Sequence, residues 1–83
     1  MTREDVVRRM QEIFRDIFND SSLIVSEHLN TGDIDYWDSL NHINLLSAIQ
    51  QEFHVTFELN ELHDLNNVGA IVDSILKKSR QSQ

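Results

Sequence analysis

The chain has 83 residues, with 14 Asp and Glu against seven Lys and Arg, a formal net charge of −7, no cysteine, no proline and two glycines. That length holds one small domain, the missing cysteines exclude disulfides and thiolate metal sites, and a hydrophobic content of 40% is too high for a disordered chain. No run of about 18 apolar residues and no signal-type apolar segment is present, so a cytoplasmic location without membrane association is expected.

The first predicted helix spans about Arg3 to Phe18. Thr2 is placed to cap it, and Asp5 three residues later completes a capping-box pattern. Val6, Met10, Ile13, Phe14 and Ile17, at spacings of 4, 3, 1 and 3, form one apolar stripe that Val7 and Phe18 widen. Asn19-Asp20-Ser21-Ser22 carries the turn chemistry that ends it. Ser21 to Trp37 reads as a long packed loop. Within it Leu23-Ile24-Val25 has no partner strand, Asn30-Thr31-Gly32-Asp33 is a turn, and Ile34 is expected to plug the core. Loops of this length in small domains are often functional.

Asp38 is a good N-cap for a second helix over Ser39 to Phe53. His42, Leu45, Leu46, Ile49 and Phe53 share one face, at offsets 0, 3, 4, 7 and 11, which is read as the core face. Leu40, Ile43 and Ser47, at offsets 0, 3 and 7, share another that lies near the surface beside Ser39 and suggests a docking face. Ser39 occupies the first helical position, where an attached anion would meet free N–H groups and the positive end of the helix dipole.

Glu58 to Leu65 reads as a short helix with Leu59, Leu62 and Leu65 inward. Asn67 caps a last helix from Val68 to about Lys78, with Val68, Ile71, Val72, Ile75 and Leu76 on its apolar face and Lys77, Lys78 and Arg80 at its negative end. The predicted fold is all-α: a small four-helix bundle of three longer helices and one short one, with a long loop between helices one and two. The domain is expected over residues 1–79, with 80–83 as a frayed tail. Its predicted core is Met10, Phe14, Ile17, Leu45, Leu46, Ile49, Phe53, Leu62, Ile71, Val72 and Ile75.

Charge is unevenly distributed. From Asp16 to Leu76 there are eleven acids and not one Lys or Arg. Such a body repels nucleic acid and anionic membranes and attracts basic protein surfaces, so neither nucleic acid nor membrane is an expected partner. The histidines, His28, His42, His54 and His63, form no His-x-x-x-His pair, and no metal site is expected. Asp38, Ser39 and His42 are the residue types of a hydrolase triad. His42 is read as facing the core, however, and there is no Gly-x-Ser-x-Gly elbow and no acid behind it. No catalytic residue is therefore expected. Two other readings stay open: a protein-interaction module docking through Leu40 and Ile43 with Ser39 only capping, and a very small hydrolase built on Ser39 and His42.

Trp37-Asp38-Ser39-Leu40, followed by Leu45-Leu46, Ile49 and Glu52-Phe53, resembles the modification site and second helix of the acyl carrier protein family. Leu65-Asn66-Asn67-Val68-Gly69-Ala70-Ile71-Val72 is similar to the start of that family's last helix, while the first helix and loop match only in pattern. The resemblance implies 4′-phosphopantetheine on the matching serine, Ser39, whose terminal thiol would hold an acyl or aminoacyl group as a thioester and present it to partner enzymes. It also implies that Asp38 serves recognition by a phosphopantetheinyl transferase through that enzyme's Mg²⁺. The implied partners are this transferase, an acyl- or aminoacyl-loading ligase and a downstream transferase or synthase; a monomer is expected. Asn41, Asn44, Gln50 and Gln51 stand where the family's second helix is rich in acids, and only Glu52 is acidic. Partner contact is accordingly expected across Leu40, Ile43 and Ser47, with Asp33, Asp35 and Asp38 supplying charge. Trp37 before the Asp-Ser pair looks more like free-standing carriers of specialised pathways.

Overall fold

The computed structural model describes residues 2–81, with side chains to residue 79. Three α-helices in chain order, α1 (Arg3–Ile17), α2 (Ser39–Phe53) and α3 (Val68–Gln81), are joined by loops that each contain one 3₁₀ turn, Thr31–Asp33 and Leu62–Asp64. The all-α class is as the sequence predicts, and no strand occurs among the described residues.

α1 starts where the capping box puts it. Thr2 Oγ1 accepts the Asp5 amide at 3.1 Å and the Thr2 amide donates to Asp5 Oδ2 at 3.2 Å, satisfying amides that the first turn leaves unpaired. Val6, Met10 and Phe14 are fully buried, whereas Ile17 is only partly so. The helix ends in a Schellman arrangement: Asn19 takes a left-handed φ of 52°, its amide donates to the Asp16 carbonyl at 3.3 Å, and the Asp20 amide donates to the Arg15 carbonyl at 3.0 Å. α2 also stops at a left-handed residue, His54 with φ 56°.

The long loop is ordered by side chains of α1 and by the start of α3. Gln11 Oε1 accepts the Val25 amide at 3.0 Å, and Arg15 Nε donates to the Leu23 carbonyl at 2.7 Å. An isolated antiparallel bridge pairs Asn30 with Asn67. Around it the Thr31, Val68 and Gly69 amides donate to the carbonyls of Asn66, Leu29 and Glu27 at 3.1, 2.9 and 3.1 Å. Gly69 permits this close approach, since a Cβ there would lie 3.1 Å from the Glu27 carbonyl oxygen. The loop then sends Val25, Ile34 and Trp37 into the core.

Two expectations need correction. The short helix predicted over Glu58 to Leu65 is a run of turns ending in one 3₁₀ turn, with Leu59 84% exposed, Leu62 half-buried and only Leu65 buried. A helix this short has a costly nucleus and little propagation to offset it. Here Glu61 is committed elsewhere: its carboxylate accepts the Glu58 amide at 2.8 Å, the Ser74 hydroxyl at 3.1 Å and the Lys78 ammonium at 2.6 Å, which fixes the turn onto α3. The four-helix count thus becomes three helices and two 3₁₀ turns among the described residues. Secondly, α3 begins at Val68 with the Ala70 amide donating to Asn67 Oδ1 at 2.8 Å, as predicted, but continues to Gln81 and not to Lys78. The rest of the expected tail, 82–83, lies outside the described residues.

Candidate functional site

The long loop delivers the chain to the head of α2. Asp38 is extended, with φ −94° and ψ −177°, and its Oδ1 accepts the Asn41 amide at 2.9 Å, so the helix begins at Ser39. The His42 amide donates to the Asp38 carbonyl at 2.8 Å, closing the first turn. The amides of Ser39 and Leu40 have no acceptor among the described residues, and the Ser39 side chain is exposed beside them. A negatively charged group attached to that hydroxyl fits this position, with unpaired N–H groups and the dipole's positive end close by.

Beyond Ser39, the α2 surface carries Leu40 at 68% exposure and Ile43 at 64%, followed by exposed Asn44 and Ser47. Asp33, Asp35 and Asp38 are exposed on the approach to the helix. Asp33 also has a local structural role, since its Oδ2 accepts the Asn30 amide at 3.1 Å and closes a capping box on the first 3₁₀ turn.

His42 departs from its predicted place on the core face. It is half-buried, and its Nδ1 accepts the Trp37 indole N–H at 2.9 Å. Burial holds its pKa below the ordinary histidine value. The hydrogen bond requires a free lone pair on Nδ1, so the neutral ring carries its proton on Nε2. No hydrogen bond joins Ser39 to His42 among the described residues, and a ring whose only lone pair is engaged by Trp37 cannot accept the Ser39 proton. The hydrolase reading therefore loses its base.

Several contacts near Ser39 are not visible in helical periodicity. Trp37 is 5% exposed and packs edge-on against Phe14, with ring centroids 5.2 Å apart. Asn41 Nδ2 donates to the Tyr36 carbonyl at 2.8 Å, and the Tyr36 hydroxyl donates to Asp20 Oδ2 at 2.8 Å. An aromatic residue two places before a Ser start was the available sign that the approach segment is packed.

A three-helix fold with a long ordered loop leading to an exposed, capped serine is the architecture of a small carrier domain. The family model for the phosphopantetheine attachment site matches residues 8–75. Among solved structures, the chain is similar to the solution structure of the holo acyl carrier protein from Geobacter metallireducens, with 35% identity and a TM-score of 0.85 over 93% of this chain and 88% of that one. A comparison with curated protein sequences gives no significant match. The chain belongs to the phosphopantetheine-attachment family and is a carrier of the acyl carrier protein kind, with 4′-phosphopantetheine as its covalent prosthetic group. Carriers of this family interact with phosphopantetheinyl transferases and with synthase or transferase partners. Among the described residues, no helix is long and apolar enough to cross a membrane.

Proposed function

We propose that Ser39 is the attachment residue and that the chain works as a cytoplasmic monomer, without catalysis of its own, holding an acyl or aminoacyl group for partner enzymes. The bound group supplies a terminal thiol for thioester formation, which a chain without cysteine lacks. The observation that carries the assignment is the exposed Ser39 hydroxyl at the first position of α2, beside two amides without an acceptor among the described residues. Other serines are engaged or poorly placed. Ser22 Oγ donates to Asp20 at 2.7 Å, Ser74 Oγ donates to Glu61 at 3.1 Å, and Ser47 is in the middle of α2.

In the attachment step Ser39 Oγ forms a new ester bond to the phosphorus next to the pantetheine arm of coenzyme A. The anhydride P–O bond breaks, 3′,5′-ADP leaves with the bonding pair, and the serine proton passes to a base on the transferase. Asp38 is assigned to recognition by that enzyme. Leu40, Ile43 and Ser47 form the proposed partner face, with Asp33, Asp35 and Asp38 as its charged edge. The intended partners are the transferase, an acyl- or aminoacyl-loading ligase and a downstream transferase or synthase.

Intact mass after incubation with a phosphopantetheinyl transferase and coenzyme A tests the assignment. Wild type should gain one prosthetic group, and Ser39→Ala none, while the variant keeps its helical spectrum and melting behaviour because Ala suits an exposed helical position. Modification of Ser39→Ala would move the site to another serine. Wild type left unmodified by several transferases would favour the plain interaction module on Leu40 and Ile43.

A further inference from the structure

Asp38 alone suffices to cap α2, yet two side chains from the helix's first turn reach back past it. Asn41 donates to the Tyr36 carbonyl at 2.8 Å, and His42 accepts the Trp37 indole N–H at 2.9 Å. Trp37 is itself wedged into α1: its ring stands at 86° to Phe14 and its centroid lies 6.0 Å from that of Phe18. Trp37 is nearly buried, and His42 is the one acceptor of its N–H among the described residues, so the bond ties a core side chain to the helix. Asp38 and Ser39 lie between the two partners of this bond. Their orientation relative to the helix is therefore fixed from both sides, by the helix that follows and by a core-anchored indole tied to that same helix.

We propose that His42 is a positioning residue for the attachment reaction: by accepting the Trp37 indole N–H it locks the Trp37–Asp38 segment to the first turn of α2 and fixes how the Ser39 hydroxyl and the Asp38 carboxylate meet the transferase. The proposal rests on Ser39 being the attachment residue. His42 touches no reacting atom. It acts through Trp37, and loosening it lets the hydroxyl sample orientations that the transferase cannot use, which lowers turnover more than encounter.

The test measures steady-state transfer from coenzyme A for wild type, His42→Leu, His42→Asn, Trp37→Phe and the double variant His42→Leu/Trp37→Phe. The single tryptophan gives one indole N–H resonance whose hydrogen exchange reports the bond directly. His42→Leu should lower kcat roughly tenfold with KM little changed, and the indole N–H should lose protection. His42→Asn puts an acceptor oxygen where Nδ1 stands and should restore both. In the Trp37→Phe background His42→Leu should have no further effect, since the two residues act as one unit. Wild-type kcat in His42→Leu, or independent additive losses in the double variant, would overturn the proposal. Should His42→Leu fail to fold, Trp37→Phe carries the test by removing the donor while keeping an aromatic ring, and wild-type kcat there overturns it equally. Wild type that is never modified at Ser39 would instead remove the attachment assignment on which the proposal stands, an outcome read before any variant is compared.

Discussion

Helices α1 and α2 are each 15 residues long, and both bury one stripe against the same core, yet they treat their outer faces differently. The outer face of α1 is charged and tied down. Arg8 pairs with Asp5 at 3.9 Å, Arg15 with Glu12 at 4.0 Å, and Arg3 bridges Glu27 and Asp73 across to the loop and to α3. α2 has a single acid and no Lys or Arg. That acid, Glu52, lies 3.7 Å from Arg9 of α1, and the free side of the helix offers Leu40, Ile43 and neutral amides. Apolar side chains left in water stabilise nothing in the isolated domain. They gain free energy only when another surface covers them. α1 is thus finished within this chain, while α2 keeps an apolar face open to solvent. The proposed docking face takes its argument from that difference.

The largest expected effect separates buried from exposed apolar side chains. Phe14→Ala on α1 should cost about 3–5 kcal/mol and Leu46→Ala on α2 about 2–5 kcal/mol in urea unfolding, because both side chains are buried and each substitution leaves a cavity. Leu40→Ala and Ile43→Ala should change stability by no more than about 0.5 kcal/mol. A multi-kcal/mol loss at Ile43 would mean that its exposure is not its working state and would remove the contrast between the helices.

Next in size is the effect of Ile43→Glu on partner enzymes. The substitution puts a charge on the free face of α2, where the chain has none, and should slow loading by the cognate ligase roughly tenfold, about 1.4 kcal/mol of transition-state binding, with the melting curve unchanged. A normal loading rate would show that partners reach Ser39 by another route, and the unfinished character of α2 would need a different explanation.

How well the two helices could be read from sequence follows the same division. The stripe of Val6, Met10 and Phe14 and the stripe of Leu45, Leu46, Ile49 and Phe53 obey helical spacing, so elements and core face were legible there, and Asp38 marked the start of α2 to the residue. Residues outside a periodic frame were not. Trp37, Val25 and Phe57 are buried from irregular segments, where no spacing distinguishes inward from outward. The predicted helix over Glu58 to Leu65 failed because its leucine spacing was satisfied in sequence but Glu61 is bound to Lys78 and Ser74 of α3, a tertiary contact that local pattern cannot contain. At the site, the residue types were legible and the bond between Trp37 and His42 was not. A helical wheel placed His42 by its position on α2 and had no means of showing a partner that precedes the helix.

A smaller effect concerns acid. The folded-state pKa of His42 is depressed by burial, so the unfolded chain binds its proton more readily. Its contribution to stability is therefore present above the unfolded value of about 6.5 and is lost as pH falls through the lower folded value. The melting temperature should drop on going from about pH 7.5 to about pH 5.5, with a change in Trp37 emission, and His42→Leu should abolish this component. A second acid step belongs to carboxylates held below their ordinary range: Asp5 by the Thr2 amide, Asp20 by the Ser22 hydroxyl, Glu27 by Arg3 and Glu61 by Lys78. Their contribution is present above about pH 4 and fades as pH falls further. An acid profile unchanged by His42→Leu would assign the first step to another group.

The smallest effect is expected where the contacts look strongest. Arg3 binds Asp73 through Nη1 at 2.6 Å and Glu27 through both Nε and Nη2, and the neighbouring carboxylates, Glu27 first, raise its already high pKa. Geometry alone would make this triad the clamp that holds the start of α1 to the loop and to α3. All three side chains are open to solvent, at 44% exposure for Arg3, 38% for Glu27 and 67% for Asp73. Water and salt screen the attraction there, and ordering a long arginine side chain offsets much of what remains. The junction has other fastenings that need no charge: the Thr2 capping box, Val6 in the core, and the Gly69 amide on the Glu27 carbonyl. Arg3→Gln should accordingly leave the thermal midpoint within the error of the measurement, in low salt and in 0.5 M salt alike, roughly the ionic strength at which exposed pairs are fully screened. A clear loss of stability in low salt that disappears in high salt would show that the charged face of α1 does hold the fold. In that case the contrast with α2 would rest on two kinds of stabilising surface, one acting within the chain and one acting between chains.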